Sequence, residues 1–465
     1  MAMRKPKIGL LALYLKLYDD TQAWLRDEVE GFKTEIENKL EETLTVVHHP
    51  VCRLKEEIEA AVCHFEKEEV DALVTLHLAY SPSLECYEVL AQTSLPILVL
   101  DTTPDYSFNA FTGVGRIMQN HGIHGVQDMC SMLRRSGVKY QVFAGHYQHS
   151  NVLQCLHNAA AGAMMAHRMH GCRVGRVGES FAGMGDFLVG DDALQKMDIT
   201  VVPFDFEKGA GQLAAIPEEE IQKEWQADSA RFTVKDLSQQ AYTISARVGL
   251  ALRKWIEEEK LDAITVNFLE TENNPALPVM PFLELCKSME RGIGYAGEGD
   301  AMNAAFVAAL MAGFPKTTFA EMFCPDWKDN SVFLSHMGEF NPAVAAQPIL
   351  LTEMDFSYTS AGNPATLYAC FEGEENAGFV NLNPIENGRY LLIAAPGRVL
   401  PIPEESPEMQ RTVRGWFAPQ VPVPDFLRQY SLLGGGHHGA VVYKWNIDTM
   451  RSFAGCMGWD FAVIE

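Results

Sequence analysis

Several features are scarce or missing in this chain of 465 residues, and each absence excludes a class of protein. The ten cysteines form no C-x-x-C pair, so neither the zinc-knuckle pattern nor the thioredoxin pattern is present. No segment approaches the ~20 consecutive apolar residues that span a bilayer. The short apolar run after Lys7 has no small-residue cleavage site, so no signal peptide is predicted. We therefore expect a cytoplasmic protein with free thiols and no membrane partner.

Positive charge is also scarce. The chain has 37 Lys and Arg against 61 Asp and Glu, which gives a formal net charge of −24. Nucleic acids and anionic membranes are bound by basic patches, so neither is an expected partner. A dinucleotide fingerprint is missing as well, because Gly178, Gly183 and Gly185 do not have the spacing of that motif. The sequence therefore predicts no bound nucleotide cofactor.

The length of the chain predicts two or three domains. Strand-like runs such as Lys7–Leu13, Ala72–Leu78 and Arg173–Val177 alternate with amphipathic stretches, which predicts parallel sheets with helices on both faces. The last third has short β-like runs separated by Gly, Pro and Asn, with a hairpin turn at 386–388. We therefore predict an α/β protein: two Rossmann-like, doubly wound α/β domains followed by a mostly antiparallel β domain. The expected domains are an N-terminal domain at 1–170, a central domain at 171–314 and a C-terminal β-rich domain at 315–465.

Four longer stretches are predicted as single elements. Asp19–Glu42, Arg116–Ser136 and Val234–Glu259 have the pattern of helices. The Pro-rich stretch 401–424 is predicted to be an extended connection across the surface.

Carboxylates and imidazoles recur in four short segments of the C-terminal half. They are Glu298, Glu321, His336, and His437 next to His438. Carboxylate oxygens together with imidazole nitrogens suit Mn²⁺, Fe²⁺, Co²⁺ or Zn²⁺. The same carboxylates can also transfer protons. The combination predicts a metal-assisted enzyme.

Taken singly, most of these residues have a simpler interpretation. Asp300 is expected to cap the next helix, which would leave Glu298 as a solvated loop residue. A lone histidine inside a β-like run, such as His336, is more often a core or surface residue than a ligand. The common spacing of His121 and His124 likewise favours a structural role over a ligand pair. The three glycines before His437 are the sharper signal, since glycines let the backbone approach a ligand closely.

At these residues the chain resembles the L-arabinose isomerases and, more distantly, the L-fucose isomerases. The similarity runs from the first strand to the C-terminus, and it is strongest in four segments whose order and spacing match together. These segments are Gly294-Tyr295-Ala296-Gly297-Glu298-Gly299-Asp300, Phe319-Ala320-Glu321, Ser335-His336-Met337-Gly338-Glu339 and Gly435-Gly436-His437-His438.

The resemblance implies that Glu298, Glu321, His336 and His438 hold Mn²⁺, with Co²⁺, Fe²⁺ or Mg²⁺ as alternatives. It also implies that the two glutamates are the catalytic residues that move the proton. A homo-oligomer is expected, by resemblance a hexamer in which His124 of one subunit reaches the site of its neighbour. The residues expected to contact substrate are Leu15, Tyr80, His124, Phe181 and His437.

Some of the sugar-facing positions depart from the family pattern. Leu15 stands where the family has glutamine, Phe181 where it has methionine, and Phe323 where it has tyrosine. Fewer hydrogen-bonding groups should weaken recognition of the hydroxyls of L-arabinose. We therefore expect a substrate other than, or in addition to, L-arabinose.

The reaction implied by the resemblance is a metal-dependent aldose–ketose isomerisation of a small sugar through an ene-diol, an intramolecular oxidoreduction of carbohydrate metabolism. Two alternatives stay open. One is a metal-dependent sugar epimerase or hydrolase with the same ligands, and the other is a catalytically silent sugar-binding homologue. The presence of both Glu298 and Glu321 argues against the silent homologue, because binding alone needs no proton transfer.

Overall fold

A computed structural model describes residues 4–465 and divides them into two compact units. The first unit comprises Arg4–Ala166 and Asn446–Met457, and the second comprises His167–Trp445 and Gly458–Glu465. The last helix of the chain therefore belongs with the N-terminal part. The expected domain boundaries at 170 and 314 stay a prediction. None of the helices in residues 4–465 is long and apolar enough to cross a membrane.

The first unit contains a doubly wound sheet. Its elements up to the seventh helix are β1 (Lys7–Leu13), α1 (Lys16–Thr21), α2 (Leu25–Glu41), β2 (Thr45–Val47), α3 (Lys55–Lys67), β3 (Ala72–His77), α4 (Ser83–Gln92), β4 (Ile97–Asp101), α5 (Ile117–Asn120), α6 (Gly122–Arg135), β5 (Gln141–Ala144) and α7 (Val152–Met169). The strands are all parallel, in the order β2-β1-β3-β4-β5. The prediction of an α/β fold with a parallel sheet is confirmed.

Strand β1 shows why helices cover both faces of this sheet. Leu10 and Ala12 belong to a core shared with α2 and α7. Leu11 and Leu13 belong to a second core, shared with α3, α4 and α6. Successive side chains of a strand point to opposite faces, so a strand that is apolar at every position needs apolar cover on both sides.

The second unit begins with another parallel sheet. Its first elements are β6 (Arg173–Val177), α8 (Asp191–Lys196), β7 (Thr200–Pro203), α9 (Phe206–Ala214), α10 (Glu218–Arg231), β8 (Thr233–Val234), α11 (Gln239–Glu258), β9 (Ala263–Val266), α12 (Phe282–Glu290), β10 (Gly294–Gly297) and α13 (Ala301–Gly313). The sheet order is β10-β9-β6-β7, with all pairs parallel. Helix α13 is buried from Ala301 to Met311 and packs against β9 and β10.

The last part of the chain is mostly antiparallel, as predicted. Its elements are β11 (Thr317–Asp326), β12 (Ser331–Ser335), β13 (Leu350–Glu353), β14 (Ala365–Tyr368), β15 (Glu374–Pro384), β16 (Tyr390–Val399), β17 (Gly415–Pro419), α14 (Val423–Leu432), β18 (His438–Tyr443), α15 (Ile447–Met457) and β19 (Asp460–Val463). Six antiparallel strands pair in the order β15-β18-β11-β12-β17-β16, and β16 pairs back with β15 to close a ring. Strand β19 lies parallel to β16, while β14, β13 and β8 form a separate small sheet. The predicted hairpin turn joins β15 to β16, with φ of +62° at Asn387 and +69° at Gly388.

Three predicted helices are wrong in extent. The stretch 19–42 contains the end of α1 and all of α2, with a break between Thr21 and Leu25. The stretch 116–136 is interrupted at His121, between α5 and α6. The helix predicted from residue 234 begins five residues later, because Ser238 caps it by accepting a hydrogen bond from the Ala241 amide at 3.1 Å. At α11 the cap overrides a local pattern that runs on without a break.

The prediction of an extended surface connection over 401–424 is also wrong in part. Gly415–Pro419 is strand β17 of the ring, and Phe417 on it is fully buried. Pro422 precedes α14 and Pro424 lies in its first turn, a position where the missing amide of proline costs no hydrogen bond. The prolines thus end a strand and begin a helix.

Candidate metal centre

The turn between β10 and α13 directs Glu298 inward. Glu298 and Gly299 both have positive φ, +62° and +84°. Asp300 caps α13 as predicted, accepting a hydrogen bond from the Asn303 amide at 2.9 Å. Positive φ is uncommon for a residue with a side chain. The carboxylate of Glu298 is buried, so its interpretation as a solvated loop residue is wrong.

Strand pairing in the ring brings Glu321 next to two histidines. Glu321 on β11 lies opposite His438 on β18 and opposite Ser335 on β12, and His336 directly follows β12. Opposed residues on antiparallel strands have Cβ atoms about 5 Å apart. Glu321 Oε1 is accordingly 3.2 Å from His438 Nε2 and 3.4 Å from His336 Nε2.

Four potential ligands converge on one point. One ligand atom each from Glu298, Glu321, His437 and His438 lies within 4.8 Å of the others. Glu298 Oε2 is 3.5 Å from His438 Nε2 and 3.9 Å from His437 Nε2. The structure thus brings His437, expected only as a substrate contact, into the cluster. No second cluster of three or more such ligands occurs in residues 4–465.

His336 adjoins this cluster, although its nitrogens are not among the four converging ligand atoms, and its ring lies against a glycine. A Cβ atom at Gly297 would lie 2.9 Å from His336 Nε2, too close for any side chain except hydrogen. Phe319 packs edge-on against the His336 ring, with centroids 4.9 Å apart, and closes the other side. Of the predicted ligands, Glu298, Glu321 and His438 thus lie in the cluster, and His336 adjoins it through Glu321. That these four residues hold a metal stays a prediction.

The two buried histidines are each held by a second carboxylate. His438 Nδ1 lies 2.8 Å from Asp300 Oδ2, and His336 Nδ1 lies 2.6 Å from Glu339 Oε2. Glu339, fully buried, also accepts a 2.5 Å hydrogen bond from the Tyr295 hydroxyl. Donation from Nδ1–H to a carboxylate leaves the Nε2 lone pair free, which is the usual arrangement around histidines that ligate a metal.

The glycine loop before His437 is held by side chains that the sequence analysis missed. Tyr430 donates from its hydroxyl to the Gly436 carbonyl at 2.6 Å, and Asn383 Oδ1 accepts from the Gly436 amide at 3.1 Å. Asn381 Nδ2 donates to the His438 carbonyl at 2.5 Å. A signal was present in the sequence, because two asparagines at period two in the otherwise apolar end of β15 point to the same face.

The charges of the cluster stabilise ionised glutamates. Burial alone would raise the pKa of Glu298, but the imidazoles of His437 and His438 outweigh it and lower that pKa to about 2. Burial opposes ionisation of Glu321 too, yet His336 and His438 hold its pKa well below its usual range. The same pairing acts on the histidine. Burial alone would lower the pKa of His336, but the carboxylates of Glu339 and Glu321 outweigh it and raise that pKa to about 10.

The residues fit a divalent metal ion. Glu298 Oε2 and His438 Nε2 are buried and have no hydrogen-bond partner in residues 4–465. Nearly all buried polar atoms in native proteins are satisfied, so such a pair calls for a partner. A divalent ion held by these residues would satisfy both atoms. Oxygen and nitrogen donors of this kind suit Mn²⁺, Fe²⁺, Co²⁺ or Zn²⁺.

The other predicted substrate residues lie in both units. Phe181 is in the second unit, where its amide donates to the Glu298 carbonyl at 2.9 Å. Leu15 precedes α1, the Tyr80 hydroxyl donates to Asp128 at 3.2 Å, and His124 is exposed on α6. These three belong to the first unit, and their contact with substrate stays a prediction.

The fold and this centre together define a class: an α/β protein whose parallel sheet and closed antiparallel ring contribute carboxylates and imidazoles to one site. A family model described as the L-arabinose isomerase central domain matches residues 190–313, and one described as the L-arabinose isomerase C-terminal domain matches residues 316–460. Together they cover more than half of the chain. The chain belongs to the L-arabinose isomerase family.

Curated relatives extend the similarity over most of the chain. L-arabinose isomerase 1 of Bacillus licheniformis is 23% identical over 422 residues, which is 86% of this chain and 81% of that one. The L-arabinose isomerase of Thermotoga maritima is 24% identical over 442 residues, 90% of this chain and 86% of that one. Among solved structures, a periplasmic solute-binding protein from Actinobacillus succinogenes with bound D-allose covers 66% of this chain and 92% of its own at 13% identity. Its TM-score of 0.15 is too low to support any argument.

Proposed function

We propose that the chain is a metal-dependent aldose–ketose isomerase that converts a sugar through an ene-diol. Membership of a family whose named members are isomerases supports the reaction class. The observation that carries the proposal is the convergence of two carboxylates with lowered pKa values, buried Glu298 and partly buried Glu321, on the imidazoles of one site. A protein that only bound a sugar would need no such pair.

The proposed metal ligands are Glu298, Glu321, His336 and His438. Mn²⁺ is the proposed ion, with Co²⁺, Fe²⁺ or Mg²⁺ as alternatives. When bound, such an ion supplies Lewis-acid polarisation of the substrate's C1 and C2 oxygens. Asp300 and Glu339 keep two of the imidazoles in the tautomer that presents Nε2.

The glutamates are the proposed proton carriers. An ionised carboxylate can take the proton from C2 and return it to C1, while the second glutamate exchanges hydroxyl protons. Glu298 lies on the turn after β10 and Glu321 on β11, so the two carboxylates come from separate elements. Each such transfer contributes roughly 10²–10⁴-fold to a rate.

Aromatic rings keep water away from the proton path. Phe187 stacks on His438 with centroids 4.4 Å apart and planes 7° apart. Phe319 lies edge-on to the same histidine, with centroids 5.1 Å apart, and both phenylalanines are buried. A site with apolar walls strengthens the electrostatic interactions inside it.

The proposed substrate is an aldose other than, or in addition to, L-arabinose. Phe181 and Phe323 offer no hydrogen bond from their side chains, and Phe323, at the bulge in β11, is 52% exposed. A site that lacks a polar partner discriminates poorly for the hydroxyl that needs it. L-arabinose should therefore show a lower kcat/KM than at least one other aldose.

A sugar screen tests the proposal. The metal-stripped chain is refilled with Mn²⁺ and incubated with pentoses, hexoses and modified aldoses, and ketose formation is measured. We expect ketose from at least one aldose, its loss with EDTA, and its return with Mn²⁺ or Co²⁺. Epimers or hydrolysis products in place of ketose would favour the alternative enzyme. Binding of sugars without any product would favour the silent homologue.

We also propose that the chain forms a homo-oligomer. In the first unit, the segment 106–114 between β4 and α5 exposes Tyr106, Phe108, Phe111 and Val114 by 53–98%. A cluster of exposed apolar side chains of this kind is typical of a protein interface. Light scattering at low micromolar concentration should show an assembly, and an active monomer would contradict the proposal.

A further inference from the structure

The loop 178–190, between β6 and α8, is attached to the proposed metal centre. The Phe181 amide donates to the Glu298 carbonyl at 2.9 Å, which anchors the start of the loop. Phe187, near its end, stacks on His438. Between these two anchors lies Asp186, a charged residue that contacts His437 of the site.

Asp186 makes two hydrogen bonds to one neighbour. Its Oδ2 accepts from the His437 amide at 2.8 Å and lies 2.6 Å from His437 Nδ1. A Cβ atom at Gly436 would lie 3.0 Å from the same oxygen, so the glycine admits the carboxylate. One oxygen thus fixes both the backbone and the ring of His437. With Nδ1 engaged, Nε2 points toward Glu298 Oε2, 3.9 Å away.

This arrangement repeats the geometry of the two buried histidines. His438 with Asp300 and His336 with Glu339 also pair Nδ1 with a carboxylate and present Nε2 to the glutamates. We propose that Asp186 is a positioning residue that fixes His437 as a metal ligand of this centre. The inference rests on the proposed metal-dependent function, and it adds a ligand to the set implied by the family resemblance.

The pair of Asp186 and His437 is more exposed to solvent than the other two carboxylate–histidine pairs. The side chains of Asp186 and His437 are 35% and 38% exposed, whereas Asp300 and His438 are buried. His437 therefore lies at the mouth of the site, on a loop preceded by glycines. A ring in that position is oriented only as long as Asp186 holds it. Loss of a supporting carboxylate typically costs about 10- to 100-fold in metal affinity.

The test counts the nitrogens bound to Mn²⁺. Electron spin echo spectroscopy of the Mn²⁺-loaded protein reports the number of coordinated imidazole nitrogens, and titration gives the affinity. We expect His437→Gln and Asp186→Ala each to show one nitrogen fewer than wild type. Mn²⁺ binding should weaken by about 10- to 100-fold in Asp186→Ala and by more in His437→Gln, which removes the ligand itself. Asp186→Asn, which still accepts a hydrogen bond, should lose less affinity.

Asp192→Asn is the matched control. Asp192 is an exposed residue in the first turn of α8, close to Asp186 along the chain, and its substitution removes the same charge. Its nitrogen count and affinity should equal those of wild type. Circular dichroism establishes that each variant is folded, and His437→Gln tests the inference independently if Asp186→Ala is not.

The outcomes separate this inference from the proposed function. Suppose that wild type binds Mn²⁺ and forms ketose, while His437→Gln and Asp186→Ala keep its nitrogen count and affinity. The inference is then wrong and the proposed function stands. A raised KM for sugar with unchanged Mn²⁺ affinity would also overturn it, since His437 would then contact substrate. If wild type binds no Mn²⁺ and forms no ketose, both are wrong.

Discussion

Two clusters of charged residues in the second unit are built from similar groups but are satisfied differently. The ionic cluster joins α10, α11 and α12. Arg253 contacts Glu224 and Glu284, each at 2.7 Å, and Lys287 contacts Asp228 at 2.9 Å. The Tyr242 hydroxyl donates to Asp228 at 2.9 Å. Every carboxylate here meets a cation, and none of the cluster's buried polar side-chain atoms lacks a partner in residues 4–465.

The candidate metal centre has the opposite balance. Across residues 4–465, neither Glu298 nor Glu321 forms an ion pair with Lys or Arg. Its imidazoles engage further carboxylates, and Glu298 Oε2 and His438 Nε2 stay without a hydrogen-bond partner. A cluster that neutralises itself stabilises the fold. A cluster that stays acidic and unsatisfied is suited to a cation from outside.

The largest expected effect is on catalysis. Glu321→Gln keeps the size of the side chain and one oxygen donor but removes the base. We expect kcat to fall by roughly 10²–10⁴-fold with a smaller loss of metal. Ketose formation under saturating Mn²⁺ measures it. Near wild-type turnover would show that Glu321 is outside the proton path.

The second-largest expected effect is on the affinity for the metal. Glu298→Ala and His438→Ala each remove a proposed ligand, so affinity should fall by more than the roughly 10- to 100-fold expected for a supporting residue. Elemental analysis after refilling with Mn²⁺ and dialysis measures the occupancy. The assignment is wrong if both variants retain the wild-type metal content.

Substitutions in the ionic cluster should lower the stability of the fold and leave metal binding unchanged. Glu284→Ala removes a buried partner of Arg253 and leaves part of a charge uncompensated, which should cost about 3 kcal/mol in the free energy of unfolding. Urea denaturation measures this loss. Mn²⁺ content per folded chain should be unchanged. A Glu284→Ala variant that lost metal but kept its stability would contradict the assignment of this cluster to stability rather than to metal binding.

The smallest expected effect is the pH dependence of stability. Burial tends to raise the pKa of Glu224, but Arg253 and Lys287 outweigh it and lower that pKa from 4.5 to about 2. A carboxylate with a lowered folded-state pKa contributes stability that is present above pH 4.5 and is lost as the pH falls toward 2. Over that window the unfolding free energy of wild type should fall more steeply than that of Glu224→Gln, by up to about 1.4 kcal/mol per pH unit, the slope that one bound proton gives. Parallel slopes would contradict the prediction.

Much of the fold could be predicted because its strands are locally distinctive. Strands β1 and β6 have the bounds predicted for them. From Ile8 to Leu13, β1 is a continuous apolar run, as expected of a buried parallel strand. The ends of the helices were harder to predict from the sequence. The break between α1 and α2 and the start of α11 depend on packing and on the Ser238 cap, while the local pattern runs through both.

The candidate site likewise contains residues that the sequence could predict and one that it could not. Glu298, Glu321, His336 and His438 lie in short segments with a recognisable order, so they could be found in the sequence. Asp186 could not. It meets His437 across 251 positions of the chain, and no local pattern marks an aspartate that accepts a hydrogen bond from so distant a residue.

The sequence by itself determined the strands, the glycine-bounded segments and the kinds of donor atom, because these follow from residue type and near neighbours. The tertiary structure decided which donors share one point. The register of β11 between β12 and β18 sets Glu321 against His438 and near His336. The turn after β10 then brings Glu298 to the same place. Such proximity depends on pairing between distant strands, and a shift by one residue would turn Glu321 to the opposite face of the sheet.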